Sequence, residues 1–269
     1  MGANTKLLRS RIKSVDSTLH LTRAMGLVAS SKIRRANEAA TKSHQYYEAV
    51  ERIIDSLTSS SETAKSPYLA QRGEDRTKLI VIAGDRGLAG GYNANVFRFA
   101  SSFGNVLEYI PIGKRSCDRY KANPVSSETF SSADALSLAK RLSEEFIKGE
   151  YDRLGIVYTK YDSMMSQTPN VNWVLPLKRN YNETTGGIIF EPDEQTILPA
   201  AVLEYLSGSL ISAVRESFLS EVAARKMAMD SAGKNATQMI EELQLEYNRA
   251  RQGAITQEIT EIVAGSGEN

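Results

Sequence analysis

Residues 8–57 read LRSRIKSVDSTLHLTRAMGLVASSKIRRANEAATKSHQYYEAVERIIDSL, and their apolar side chains recur at a regular spacing. From Leu8 to Leu57, the positions reached by alternating spacings of four and three residues are apolar with three exceptions. The three exceptions are Thr22, Gly26 and Ser43. The stretch contains no proline, and a heptad pattern of this length is typical of a coiled-coil helix. At 1.5 Å per residue, such a helix would be roughly 75–80 Å long.

The C-terminal part of the chain repeats the pattern. No proline follows Pro199. A seven-residue spacing relates Val222, Met229, Ala236, Leu243 and Ala250. Beyond these positions we expect the apolar seam to shift onto Ile255, Ile259 and Ile262. Small residues in both seams would let two backbones approach closely, so the sequence predicts an antiparallel coiled coil between the N- and C-terminal helices.

The middle of the chain has a different pattern. Three short apolar runs are predicted to be strands: Lys78–Ala83, Val106–Ile112 and Arg153–Tyr158. Predicted helices alternate with them, near Asn93–Ser101, Arg115–Lys121 and Ala133–Lys148. Such alternation is typical of a parallel, Rossmann-like sheet. A further strand, Val171–Leu177, is expected at an edge because Pro176 cannot donate a backbone hydrogen bond.

The predicted fold class is therefore α/β plus a long antiparallel α-helical coiled coil. The predicted segments are an N-terminal helix (1–58), a linker (59–76), a Rossmann-like α/β domain (77–195) and a C-terminal helix (196–269).

Composition and residue spacing argue against several functions. The net charge is +1 and the chain has a single cysteine, Cys117, which excludes an internal disulfide. Because no apolar run approaches 18 uncharged residues, we expect membrane association only through partners. His20 and His44 are too far apart on one helix to share a metal ion. The sequence predicts no catalytic site, no metal site and no cofactor.

A glycine-rich turn, GDRGLAGG at 84–91, follows the first predicted strand and precedes a helix. This position suits a phosphate-binding loop, but neither the Walker A spacing nor Gly-x-Gly-x-x-Gly is present. Two interpretations stay open. The turn is either structural and presents Asp85, Arg86 and Gly87 to a partner, or part of a nucleotide-binding α/β enzyme.

The N-terminal helix is basic. The first 37 positions contain eight lysine and arginine residues but a single acidic residue, Asp16. Aromatic residues do not interleave with them, so nucleic-acid binding is not favoured. A solvated helix face and a strip that contacts acidic loops of a protein partner explain the charge equally well.

Four blocks carry a family resemblance. They are LRSRIKSVDSTLHLTRAMGLVASSKIRRA (8–36), GDRGLAGGYNANV (84–96), ESFLSEVAARKMAM (216–229) and LQLEYNRARQGAITQEITEIVAG (243–265). In this order they resemble the gamma subunit of F-type ATP synthases over essentially the whole chain. The resemblance implies a non-catalytic central-stalk rotor that couples proton or sodium flow through a c-ring to conformational change at catalytic beta subunits.

The same resemblance implies partners and a location. The coiled coil would lie inside a ring of three alpha and three beta subunits, and the α/β domain would form a foot with the epsilon subunit on the c-ring. The location would be the cytoplasmic face of a bacterial cell membrane, with a mature mitochondrial protein as the alternative. A self-assembling coiled-coil scaffold is a further alternative function.

Particular residues follow from the matching motifs. The residues expected to affect coupling are Met25, Arg225, Arg251, Gln252 and Thr256. Those expected to contact acidic loops of the beta subunits are Arg9, Lys13 and Lys32.

Overall fold

The protein consists of two very long helices and a small mixed α/β region, in a computed structural model that describes residues 3–73, 75–179 and 189–266. The helices are α1 (Ala3–Ser59), α2 (Tyr92–Ala100), α3 (Lys114–Tyr120), α4 (Ser132–Ile147) and α5 (Glu194–Ser266), with a 3-10 turn at Pro67–Leu69. The strands are β1 (Thr77–Ile82), β2 (Val106–Ile112), β3 (Arg153–Tyr161) and β4 (Gln167–Leu175). The predicted division into four segments stays a prediction.

The chain divides into two compact units. The first unit combines α1 up to Ala29 with α5 from Lys226 onward. The second unit is the continuous stretch Ser30–Arg225, which includes the sheet.

In the first unit, α1 and α5 form a closely packed antiparallel pair. A Cβ at Gly26 would lie 3.6 Å from Met229 Cβ, and one at Gly233 would lie 3.7 Å from Thr22 Oγ1. Residue numbers therefore rise along one helix as they fall along the other. Leu19 is also buried, at the position that the heptad pattern predicts. The predicted pairing of the terminal helices is confirmed.

The predicted end of the C-terminal seam is wrong. Ala254 is half-buried, but Ile255, Ile259 and Ile262 are 47%, 56% and 71% exposed. The antiparallel register explains this result, because it brings the first described residues of α1 opposite the part of α5 near Ala250. Within the described residues, the later turns of α5 therefore have no α1 segment beside them.

The sheet of the second unit has the strand order β2-β1-β3-β4. β1 pairs in parallel with both β2 and β3, and β4 is an antiparallel edge strand on β3. The predicted parallel strands and the predicted edge strand are present, and the antiparallel β4 makes the sheet mixed. All six residues of β1 are buried, as expected of a central strand that is covered on both faces.

Alternate residues of β1 enter two separate cores. Ile80 and Ile82 point into the larger core, which also contains Leu57 of α1 and Val202 of α5. Leu79 and Val81 point to the opposite face and pack with α2. This alternation follows from the two-residue period of a strand. The heptad seam of α1 therefore contributes directly to the core under the sheet.

Helix α5 is long and apolar enough to span a membrane by length and composition. Its most apolar 18-residue window has a mean hydropathy of 1.6, and 67% of that window is buried inside the fold. In the second unit, Val202, Leu206 and Leu210 of this helix lie in the larger core. Packing inside the protein accounts for the hydropathy of α5.

Candidate functional site

The carboxyl ends of β1 and β2 lie side by side, and two glycine-containing turns leave the sheet there. Ala83 donates its backbone N–H to Ile112 O at 2.9 Å. Gly113 has φ of +95°, and a Cβ at this position would lie 1.9 Å from Ala83 O. Only glycine permits this close approach of the two turns. In open parallel sheets, this edge is where nucleotides and other ligands bind.

Asp85 lies in the turn after β1, and its carboxylate is bound within the chain. Its carboxylate accepts hydrogen bonds from Ser126 Oγ at 2.5 Å and from the backbone N–H groups of Lys114, Ser127 and Glu128 at 3.0, 3.0 and 3.1 Å. Burial alone would raise the pKa of Asp85, but these four hydrogen bonds hold it below its ordinary value. The Asp85 carboxylate therefore links the turn after β1 to the start of α3 and to the segment before α4.

A row of polar side chains on α5 faces the same edge of the sheet. We call it the polar stripe, and its members are Glu216, Ser217, Ser220, Glu221 and Arg225. Three members bind the end of β3. Glu216 accepts from Tyr161 N at 3.1 Å, Ser217 Oγ accepts from Thr159 N at 3.0 Å, and Ser220 Oγ donates to Thr159 O at 3.1 Å.

The other two members of the stripe bind the glycine-rich turn. Glu221 is 2% exposed and accepts a hydrogen bond from Arg225 Nη2. Arg225 Nε and Nη2 each donate to Gly87 O at 3.3 Å. The Glu221 carboxyl group lies so close to Gly84 that a Cβ there would be 2.6 Å from its Cδ. Burial raises the pKa of Glu221, although the Arg225 charge and a hydrogen bond from the Arg86 backbone oppose the shift.

Helix α1 is tied to the same network by an ion pair. Lys32 Nζ lies 2.5 Å from Glu128 Oε1, and the Glu128 backbone N–H is one of the four donors to Asp85. Helix α5 binds the same segment before α4, because Arg215 donates a hydrogen bond to Phe130 O at 3.0 Å. The turns that leave the sheet therefore bind α1 and α5 at the same time.

The residues selected from sequence fall into two groups. The structure brings together those in the second unit, which are Lys32, Asp85, Arg86, Gly87 and Arg225. Those in the first unit are Met25, which is half-buried, and the exposed residues Arg9, Lys13, Arg251, Gln252 and Thr256. Contact with a partner stays a prediction for both groups. For Asp85, the structure establishes that both carboxylate oxygens accept hydrogen bonds within the chain.

Sequence reasoning missed most of the polar stripe. It selected Arg225, but it did not identify Ser217, Ser220 or Glu221 as a functional set. The available signal was the four-residue spacing of Ser217, Glu221 and Arg225, which places three polar side chains in one row along the helix. Polar residues in a buried helical row need partners, so this spacing indicates a polar interface.

The fold and the site define a class of protein: a two-helix coiled coil with an inserted Rossmann-like sheet, held to its helices by polar contacts at the strand ends. A family model described as ATP synthase matches residues 4–267. The ATP synthase gamma chain of Ruminococcus albus is 38% identical, and the alignment covers 98% of each chain. The chain belongs to the ATP synthase gamma-chain family.

Solved structures share this fold. A chain of the Euglena gracilis mitochondrial ATP synthase, in a structure of its OSCP, F1 and c-ring, matches with a TM-score of 0.67 and 18% identity, covering 99% of this chain and 95% of the other. A chain from the central stalk and c-ring structure of the Tetrahymena thermophila mitochondrial ATP synthase has a TM-score of 0.64 and 21% identity, covering 79% and 99%.

Proposed function

We propose that this chain is the rotor shaft in the central stalk of an ion-driven F-type ATP synthase. It couples ion flow through a c-ring to conformational change at the catalytic beta subunits. Its family membership supports this function, and so does its structural likeness to chains from solved central-stalk and F1/c-ring assemblies. Its partners are three alpha subunits, three beta subunits, the epsilon subunit and the c-ring.

One observation carries the proposal, namely the exposed apolar side chains on both long helices of the first unit. Leu21 and Leu27 of α1 are 60% and 73% exposed, and Ile259 and Ile262 of α5 are 56% and 71% exposed. On α5 they continue a row that includes Ile255, which is 47% exposed, and exposed apolar residues grouped in this way indicate a binding interface. A ring of partner subunits around the two long helices would cover these side chains.

The physical reason for a shaft is asymmetry. Three chemically identical catalytic sites differ only if something contacts them unequally, and a contact shifts a conformation only by its differential affinity. A pair of helices lacks threefold symmetry and presents a different surface to each site. A proton that crosses 100 mV releases roughly 2.3 kcal/mol, so several ion steps must be combined for each synthesis event.

The proposal assigns no catalytic site to this chain. Asp85 is hydrogen-bonded within the chain, and Arg225 binds the adjacent turn at Gly87 O. The turn 84–91 matches neither glycine spacing of the nucleotide-binding motifs, which disfavours a nucleotide-binding enzyme. We assign coupling roles to the residues that match the family motifs: Met25, Arg225, Arg251, Gln252 and Thr256. The chain reaches the cytoplasmic face of the membrane through its partners.

The test is recovery of the affinity-tagged full chain from native membranes. We expect alpha and beta subunits, each in threefold molar excess over the chain. Recovery of the chain alone or as a homo-oligomer would refute the proposal in favour of a scaffold. Nucleotide binding by the isolated chain at micromolar concentration would favour an enzyme.

A matched pair of variants tests the exposed surface. We expect the double variant Ile259→Asp/Ile262→Asp to lower the amount of alpha and beta subunits recovered, without altering the thermal unfolding of the isolated chain, because both side chains are exposed. The control is Leu136→Asp on α4, which is 44% exposed and lies outside the helix pair of the first unit. Equal recovery with both variants would contradict the assignment of this surface.

A further inference from the structure

We propose that Glu221 is a positioning residue that locks the glycine-rich turn 84–91 onto α5, so that torque in α5 reaches the sheet without slip. The inference rests on the proposed rotor function and adds to it the contact through which the load passes.

The inference begins with the kinds of contact that α5 makes with the rest of the second unit. Val202, Leu206 and Leu210 pack in the larger core. Apolar packing resists separation, but it is non-directional and resists sliding or twisting less well. Hydrogen bonds depend steeply on angle, so the hydrogen bonds of the polar stripe resist rotation of the helix against the sheet.

Within the stripe, Glu221 has a distinct place. Ser217 and Ser220 bind the backbone of Thr159 in β3, whereas Glu221 lies against the turn. Its carboxyl group contacts Gly84 and accepts a hydrogen bond from Arg225, whose guanidinium group also binds Gly87 O. The side chain of Glu221 is 3% exposed, so water offers it little alternative hydrogen bonding.

A continuous polar path connects this contact to α1. Gly84 precedes Asp85, whose carboxylate binds the backbone of Glu128 at 3.1 Å. The Glu128 side chain pairs with Lys32 of α1 at 2.5 Å. These contacts connect both long helices to the turns of the sheet, and Glu221 makes the contact on α5.

The experiment uses the assembled complex in inverted membrane vesicles from cells that lack the native chain. ATP hydrolysis and ATP-driven ion pumping are measured in the same vesicles, and their ratio reports coupling. Glu221→Leu removes the hydrogen-bond acceptor, Glu221→Gln keeps an acceptor, and Gly84→Ala displaces the carboxyl group without removing it. Glu204→Leu is the matched control, because Glu204 lies on α5 and its side chain accepts from Tyr46 Oη at 2.8 Å at an exposed position.

We expect Glu221→Leu and Gly84→Ala to lower the pumping-to-hydrolysis ratio by about twofold or more, since losing or displacing the buried acceptor of the Arg225 hydrogen bond favours local opening. Hydrolysis per assembled complex should change less than pumping. Glu221→Gln and Glu204→Leu should keep the wild-type ratio.

Three results would overturn the inference. The ratio could stay normal in Glu221→Leu, pumping and hydrolysis could fall in parallel, or Glu221→Gln could fall as far as Glu221→Leu. If Glu221→Leu does not assemble, Gly84→Ala decides by the same criteria. Failure of the rotor function itself would be seen separately, because the wild-type chain would then not restore pumping.

Discussion

Replacing Asp85 by alanine tests whether the strand-end turns depend on one carboxylate. The substitution removes an acceptor of four hydrogen bonds and leaves three backbone N–H groups, those of Lys114, Ser127 and Glu128, without that partner. The turn after β1, the start of α3 and the segment before α4 all lose a shared contact. We therefore expect the second unit to be destabilised as a whole.

The size of the effect follows from these bonds. A hydrogen bond to a charged group contributes about 1.5–3 kcal/mol, and the contributions are not additive. Because Asp85 is only half-buried, water can replace part of what is lost, and we expect a net loss of about 3 kcal/mol in the free energy of unfolding. Asp85→Asn keeps one acceptor oxygen and should lose about half as much.

The effect should depend on pH. The folded protein holds the pKa of Asp85 below its ordinary value, so the folded state favours the ionised carboxylate. Its stabilisation is fully present above the unfolded pKa of about 3.9 and is lost as the pH falls through the lower folded pKa. The difference in stability between wild type and Asp85→Ala should therefore shrink in this acidic range.

The assay is urea unfolding of the full chain, followed by the fluorescence of Trp173. This residue is the single tryptophan and lies on β4 in the second unit, so it reports on the region in question. The control is Asp118→Ala, whose side chain is 68% exposed and pairs with Arg115; its loss should be under about 0.5 kcal/mol. A loss for Asp85→Ala as small as that of the control, or one independent of pH, would refute the reasoning.

Two further substitutions test the close packing. Gly113→Ala should destabilise the chain by about 3 kcal/mol or more, because its φ is +95° and the new Cβ would lie 1.9 Å from Ala83 O. The control, Gly104→Ala, should be near neutral, because nothing lies within 4 Å of the new Cβ. Equal urea midpoints for the two variants would contradict this prediction. Leu57→Ala should lower the free energy of unfolding by about 3 kcal/mol, because it leaves a cavity in the core. Ile53→Ala should lower it by about 1 kcal/mol or less, because Ile53 is 40% exposed. If urea unfolding showed the larger loss for Ile53→Ala, the heptad seam would be misassigned.

Much of the fold could be predicted from local patterns. Every predicted seam position of α1 from Leu8 to Leu57 is buried or half-buried, because heptad spacing directly reflects which face of a helix meets its partner. The apolar run of β1 predicted a strand covered on both faces, as observed. The predicted helices between the strands begin and end within one residue of α2, α3 and α4.

The candidate site was less predictable. Family motifs pointed to Arg225 and Lys32, but not to the groups that they bind. The Arg225 contact with Gly87 spans 138 positions, and the Lys32 contact with Glu128 spans 96. No local pattern encodes pairings at such separations.

By itself, the sequence determined which faces of the helices and strands are apolar, and with them the pairing of the two long helices and the Rossmann-like middle. The tertiary structure alone decided where the seam of α5 ends, because that depends on where α1 begins in the antiparallel register. It also decided that Asp85 binds the backbone of Lys114, Ser127 and Glu128 and that Glu221 lies against Gly84. The spacing of apolar residues indicates which face of a single helix or strand is buried. The contacts of Asp85 and Glu221 join elements that are distant in sequence, so they form only when those elements pack together.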